Sequence, residues 1–170
     1  ANGTVDARAG WGFVAYSSDE LGTSSVPPSE GASACGPVVV AGGADCDPAR
    51  QPFDLGATVQ SNNTGELTAV AETLLWVRDA LVPAWRADAA APPARARHIM
   101  IYTDSQYVQR GITGKGSPAT NMALWRSTLA VLAEVRELGC TVDFEWLRGH
   151  QEAAPGNDRA DAPVSYTHLR

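Results

Sequence analysis

The clearest signal for the fold in this sequence is Ile99-Met100-Ile101-Tyr102-Thr103-Asp104-Ser105-Gln106. Its first four residues are apolar or aromatic and favour a buried β-strand, which ends at the carboxylate of Asp104. A helix-like run begins directly afterwards. Because open α/β sheets build their functional sites at the carboxyl ends of strands, we expect Asp104 to lie at such a site.

The other predicted elements alternate around this strand. One strand is predicted before a turn at 5–9. Further strands are predicted at 10–16, 38–41, 53–60 and 142–146. Helices are predicted at 63–81, where Pro83 sets the limit, at 105–112, and at 120–138, where Gly139 ends the helix. Irregular connections without an assignable role are predicted at 17–36, 42–52 and 83–97. This order predicts an α/β fold, with a mixed sheet and helices on its faces.

Composition narrows the class of protein. A chain of 170 residues is most simply one domain, and no apolar run is long enough for a transmembrane helix or a signal peptide. The three cysteines form no CxxC pair, so we expect no disulfide framework or zinc site, and a reducing, cytoplasmic compartment. We also expect a monomer. The net charge of -6 argues against a nucleic-acid partner unless the acids surround bound cations, which reverse the local field.

Each acidic side chain that stands out has an ordinary structural explanation. Asn63 and Glu66 have the spacing of a helix capping box, and Asp104 is placed to cap the helix at 105. Asp161 complements a helix start, and His150 alone is typical of a surface histidine. Taken singly, these explanations are preferred.

Taken together, four stretches of the chain resemble ribonuclease H in order and spacing. They are Gly3-Thr4 with Gly10-Trp11-Gly12, Asn62-Asn63-Thr64-Gly65-Glu66-Leu67, Thr103-Asp104-Ser105-Gln106-Tyr107-Val108, and Gly149-His150 with Gly156-Asn157-Asp158-Arg159-Ala160-Asp161. The resemblance implies a five-stranded mixed sheet, with an antiparallel first hairpin, parallel strands, and helices on both faces. It also implies one domain over 1–161, followed by a tail at 162–170 that is foreign to the family.

The family implies a hydrolase that cuts the RNA strand of RNA–DNA hybrids with two divalent metal ions. By resemblance, Glu66, Asp104 and Asp161 hold two Mg²⁺ ions, for which Mn²⁺ is a substitute. His150 assists water attack or product release.

The resemblance also implies how the substrate is recognised. Asn62, Asn63 and Gln106 are neutral amides at the positions that contact 2′-hydroxyls, the group by which a protein distinguishes RNA from DNA. Ser61 and Asn121 match a pocket for a phosphate of the DNA strand. Turn and cap chemistry is the alternative explanation for these side chains.

The chain departs from the family at its first acidic position. Asn2 stands where the family has an Asp, and an amide oxygen is a weaker ligand that cannot bridge two cations. Asp6 lies in the turn and is a poor substitute, so we expect impaired cleavage. The family's basic, aromatic handle is also absent, because only 113–120 occupies its place. Hybrid affinity should therefore be modest and salt-dependent.

Two alternative functions remain open. One is a catalytically silent module that binds hybrid or double-stranded RNA. The other is a different enzyme on the same fold, such as an exonuclease or integrase. An exonuclease would have a second acid two residues after the first, where Thr4 stands here. Internal cuts in the RNA strand only would distinguish the predicted hybrid endonuclease from both of these alternatives.

Overall fold

The computed structural model describes residues 9–16, 32–40, 55–89 and 97–148. The strands in these ranges are β1 (Gly10–Ala15), β2 (Ala32–Pro37), β3 (His98–Thr103) and β4 (Thr141–Trp146). The helices are α1 (Asn62–Trp76), α2 (Val82–Ala87), α3 (Gln106–Ile112) and α4 (Met122–Glu137), and a π-helical turn, Val77–Leu81, joins α1 to α2. The predicted strand that carries Asn2 and the predicted tail at 162–170 lie outside the described residues.

The described strands form two separate two-stranded sheets, one antiparallel and one parallel. Strands β1 and β2 pair antiparallel, with Gly10 opposite Pro37 and Ala15 opposite Ala32. Strands β3 and β4 pair parallel, from His98 opposite Thr141 to Thr103 opposite Trp146. Antiparallel pairing early in the chain and parallel pairing later confirm the predicted mixed α/β fold. Parallel pairing brings the carboxyl ends of β3 and β4 to one edge.

The first third of the chain differs in detail from the prediction. Strand β2 falls almost wholly inside the predicted connection 17–36, whereas the described residues of the predicted strands 38–41 and 53–60 contribute a parallel bridge between Val40 and Ala57. The Trp11 ring explains the strand at 32–37, because it lies over Gly36, its partner across the ladder. A Cβ on Gly36 would sit 3.1 Å from that ring. Cross-strand packing thus overrides a composition that favours a loop.

Pro83 does not end the first long helix, contrary to the prediction. After α1, the backbone widens into the π-helical turn, where the Val82 N–H bonds to the carbonyl of Val77. Helix α2 then continues to Ala87, with Pro83 in its first turn. Proline is tolerated here because its fixed φ is helical and the π-helical turn before it already interrupts the regular i→i−4 hydrogen bonding that a proline would break.

The core forms where α1 packs against α4. Leu67 and Leu74 of α1 and Leu124 and Trp125 of α4 are almost fully buried. Each such side chain stabilises the fold by about 1.5–3 kcal/mol relative to exposure. Leu67, Leu74 and Leu124 recur at helical spacing on the apolar faces that the sequence predicts, whereas Trp125 was not predicted to be buried. The limits of α3 and α4 agree with prediction within two residues, and Gly139, at a φ of 92°, follows the end of α4.

A close approach between glycines fixes the start of α1 on β1. A Cβ on Gly65 would lie 2.5 Å from the carbonyl oxygen of Gly10, a separation that a side chain cannot adopt without a backbone shift. Only glycine therefore lets the first turns of α1 lie directly on this strand. Glu66, the next residue along the chain, is positioned by this contact.

Candidate active site

Asp104 lies at the carboxyl edge of the parallel strand pair, directly after β3. Two hydrogen bonds, donated by β4 and by the residue after it, hold the backbone at this edge. The Trp146 indole N–H donates to the carbonyl oxygen of Asp104 (2.9 Å), and the Leu147 N–H donates to that of Thr103 (2.9 Å). These bonds fix the backbone that carries the carboxylate. Trp146 was predicted only as a strand residue, and its anchoring role has no signal in sequence spacing.

The residue that caps α3 is Ser105, not Asp104. The Ser105 hydroxyl accepts a hydrogen bond from the Val108 N–H (3.3 Å), and the Ser105 N–H donates to the Thr103 hydroxyl (3.1 Å). The capping explanation for Asp104 is therefore wrong. Its side chain is half-buried, at the edge where the strand gives way to the helix.

Helix α1 is capped by Ser61 and Thr64. The Thr64 N–H donates to the Ser61 hydroxyl (3.2 Å), and the Ser61 N–H donates to the Thr64 hydroxyl (2.7 Å). The predicted capping box of Asn63 and Glu66 is wrong, because the helix begins at Asn62 and Glu66 is its fifth residue. Glu66 is half-buried and lies beyond the first turn, so capping does not explain it either.

This cap is open to a direct test on stability. The Ser61→Ala substitution should lower the free energy of unfolding by about 1 kcal/mol, because the Thr64 N–H loses its acceptor. The thermal midpoint should fall by about 2–4 °C. Asn63→Ala is the matched control, since Asn63 is exposed and has no cap hydrogen bond. Equal losses in the two variants would contradict the assignment of the cap.

The predicted substrate residues form two groups along the described chain. Ser61, Asn62 and Asn63 lie together at the start of α1, with both asparagine side chains exposed. Gln106 is exposed at the first position of α3, two residues after Asp104. Helix α3 contacts both α1 and β3, so the elements that carry the two groups touch.

Asn121 has an unusual backbone at the start of α4. It adopts the left-handed conformation (φ 55°), is 9% exposed, and its side chain makes no cap hydrogen bond. A Cβ on Gly56 would lie 2.8 Å from the Cβ of Ala123, so the segment leading to α1 packs on the first turn of α4. This packing places the start of α4 against the segment that leads to Ser61.

Three predicted site residues, Asn2, His150 and Asp161, lie outside the described residues. Within the described ranges, no three His, Cys, Asp or Glu side chains cluster closely enough to hold a metal ion. Of the predicted ligands, the described part of the chain contains Asp104 and Glu66, neither of which is the residue that caps its helix.

Two carboxyl groups, one on α1 and one in the π-helical turn, have shifted pKa values. Burial raises the pKa of Glu72, on α1. The Arg78 guanidinium, which hydrogen-bonds Asp79 at 2.6 Å, holds the pKa of that carboxyl below its usual range. Asp79 is largely exposed, so solvent screens this pair and its contribution to stability is small.

No helix in the described part of the chain combines the length and apolar character needed to cross a bilayer.

The fold and the position of Asp104 define an α/β protein with an acidic site at the carboxyl edge of parallel strands. A family model described as RNase H matches residues 22–167, most of the chain. The chain belongs to the ribonuclease H family, which confirms the predicted resemblance.

Individual relatives agree with the family match. The chain is 36% identical to a protein named Ribonuclease H from Ralstonia nicotianae, over 75% of each chain. It is 32% identical to a Ribonuclease H from Cupriavidus necator, over 75% of this chain and 78% of the relative. A Ribonuclease H from Polaromonas sp. is 33% identical, and the chain spans 63% of that relative's length. No solved structure matches the chain significantly.

Proposed function

We propose that this chain is an endonuclease that hydrolyses the RNA strand of RNA–DNA hybrids, with activity reduced by Asn2. The observation that carries the proposal is the placement of Asp104 at the carboxyl edge of β3 and β4 while Ser105 caps the helix that follows. A half-buried carboxylate at a strand edge, without a capping role, is suited to ligation or catalysis. Membership of the ribonuclease H family supports the substrate class.

The donor set fits hard divalent cations. Carboxylate oxygens are the ligands that Mg²⁺ and Mn²⁺ prefer, and Mg²⁺ binds through few protein groups. Asp104 and Glu66, with Asp161, would hold the two ions. When bound, such ions supply an activated water and stabilise the leaving alkoxide. The chain's own contribution is to fix the carboxylates, through the Trp146 bond to Asp104 and the seat of Gly65 on Gly10.

Recognition of the hybrid would fall to exposed amides at the starts of α1 and α3. Asn62, Asn63 and Gln106 are exposed, and each amide both donates and accepts, as a 2′-hydroxyl requires. Asn121 and the Ser61 hydroxyl would bind a phosphate of the DNA strand. The Ser61 hydroxyl accepts one bond within the cap and lies 3.2 Å from the Thr64 hydroxyl, so its proton would turn from Thr64 to a phosphate oxygen on binding. His150 would assist water attack or product release.

Asn2 specifically favours a second function, a catalytically silent module that binds hybrid or double-stranded RNA. A neutral amide leaves binding intact but weakens the ligand set that cleavage needs. The Asn2→Asp chain separates the two functions when tested in Mg²⁺ or Mn²⁺ on hybrid, duplex DNA and duplex RNA. We expect internal cuts in the RNA strand of the hybrid only. Binding without cuts in the restored chain would support the silent module, and end-wise release would indicate a different enzyme.

A further inference from the structure

A groove runs between α3 and the loop that follows it. The loop folds back onto the helix, because the Gly116 N–H donates to the carbonyl of Arg110 (3.0 Å) and the Tyr107 hydroxyl donates to that of Thr120 (3.3 Å). The Tyr107 hydroxyl also accepts from the Trp125 indole (2.7 Å), which ties the loop to the core. The groove has a volume of about 300 Å³ and is lined by Gln106, Arg110 and residues 116–119, among others.

Arg110 supplies the charge in this groove. Its side chain is exposed, and within the described residues no carboxylate lies within ion-pair distance of it. Arg78, by contrast, is paired with two carboxylates, those of Asp79 and Glu134. Arg110 lies in the last turn of α3, where a cation interacts favourably with the helix dipole by roughly a few tenths of a kcal/mol. This interaction explains a cation at the helix end but not the groove beside it.

The groove lies next to the proposed substrate path. Gln106 and Arg110 are four residues apart on α3 and therefore share one face, with a rise of about 6 Å between them. Both line the groove. At a rise of about 3.4 Å per nucleotide, this separation corresponds to about two nucleotide steps along a strand. A strand that meets Gln106 can thus continue towards Arg110.

We propose that Arg110 and this groove bind a backbone phosphate of the nucleic-acid duplex, next to the strand segment that Gln106 contacts. The proposal rests on the proposed function, because it takes an RNA–DNA hybrid as the ligand. A guanidinium suits a phosphate because its planar donors bind two oxygens at once. The exposed hydroxyl of Ser117, on the loop side of the groove, adds a neutral donor. The groove thereby supplies a phosphate contact in the region where the family's basic handle is missing.

The test is the salt dependence of hybrid binding, measured with the full chain in Ca²⁺, with a fluorescently labelled hybrid. Arg110→Gln should weaken binding about threefold to tenfold at low salt. It should also reduce the slope of log affinity against log salt by about 1, because one phosphate contact is lost. Arg110→Lys should retain the slope, since the charge remains.

Arg86→Gln is the matched control, because it removes the same charge from an exposed position on α2, the helix that lies near the amino end of β3. Arg86 lies on α2 beside Trp85, whose ring packs under Arg97, the residue just before β3. Its removal should leave the slope unchanged. Equal effects of Arg110→Gln and Arg86→Gln would overturn the groove proposal and leave the proposed function standing. Failure of the parent chain to bind hybrid at all would overturn both.

Discussion

Replacing Asn2 by Asp is expected to raise the rate of hybrid cleavage by about 100-fold or more. A carboxylate restores a charged oxygen ligand that can bridge two cations, whereas the amide of Asn2 offers a neutral oxygen. Such ligation is worth several kcal/mol in the transition state, and each 1.36 kcal/mol is about tenfold in rate. The measurement is the single-turnover rate in Mg²⁺ on a uniform hybrid, for the parent chain and for Asn2→Asp.

Asp6 provides the control for this experiment, because it is the nearest other acid to Asn2 in the sequence. If Asp6 substitutes for the missing ligand, Asp6→Asn should abolish any residual activity of the parent chain. We expect Asp6→Asn to leave that residual rate unchanged. Equal high rates in the parent chain and in Asn2→Asp would remove the idea that Asn2 limits cleavage.

Asp104→Asn, made in the Asn2→Asp chain, is expected to lower cleavage by about 100- to 1000-fold while preserving the fold. The substitution removes the charge but keeps the shape of the side chain. It also keeps the backbone carbonyl that accepts the Trp146 hydrogen bond. The thermal midpoint should therefore stay close to that of the Asn2→Asp chain. Loss of one metal-ligating carboxylate accounts for the rate effect.

Asp143→Asn is the matched control on the same strand pair. Asp143 lies on β4, is exposed, and hydrogen-bonds His98 at 2.8 Å, so its loss removes an acid away from the carboxyl edge. An exposed pair of this kind contributes little to stability. We expect Asp143→Asn to cleave like the Asn2→Asp chain. Similar rates in the Asp104→Asn and Asp143→Asn variants would contradict a catalytic role for Asp104.

The elements that the sequence predicts well are those with strong periodicity and clear ends. Strand β3 and the edge at Asp104 follow from a short apolar run that stops at an acid. Helix α4 follows from its apolar face and from Gly139, whose positive φ suits a helix end. In these places local preference and tertiary packing favour the same structure.

The elements that the sequence misplaces depend on contacts between distant residues. Strand β2 is stabilised by the Trp11 ring over Gly36, which no local propensity indicates. The helix passes Pro83 because a π-helical turn precedes it. The cap of α1 is Ser61 because Thr64 reciprocates its hydrogen bond, and serine and asparagine are otherwise similar as caps.

The sequence predicted the positions of the candidate site residues in the fold to the extent that these residues occupy strand and helix ends. The structure places Asp104 and Gln106 around the β3 edge, and Ser61, Asn62, Asn63 and Glu66 at the start of α1. The groove beside Arg110 was not predicted, because it depends on how the loop folds back onto α3. Spacing along the sequence gives no signal for that closure.

The proposed two-metal site can be tested by a crystal structure of the Asn2→Asp chain grown with Mn²⁺, with the ions located by anomalous scattering. We expect Mn²⁺ bound by the carboxylates of Asp104, Glu66 and Asp161, with the restored Asp beside them. Mn²⁺ bound away from Asp104, or Glu66 and Asp104 directed to opposite sides of the molecule, would contradict the proposed site.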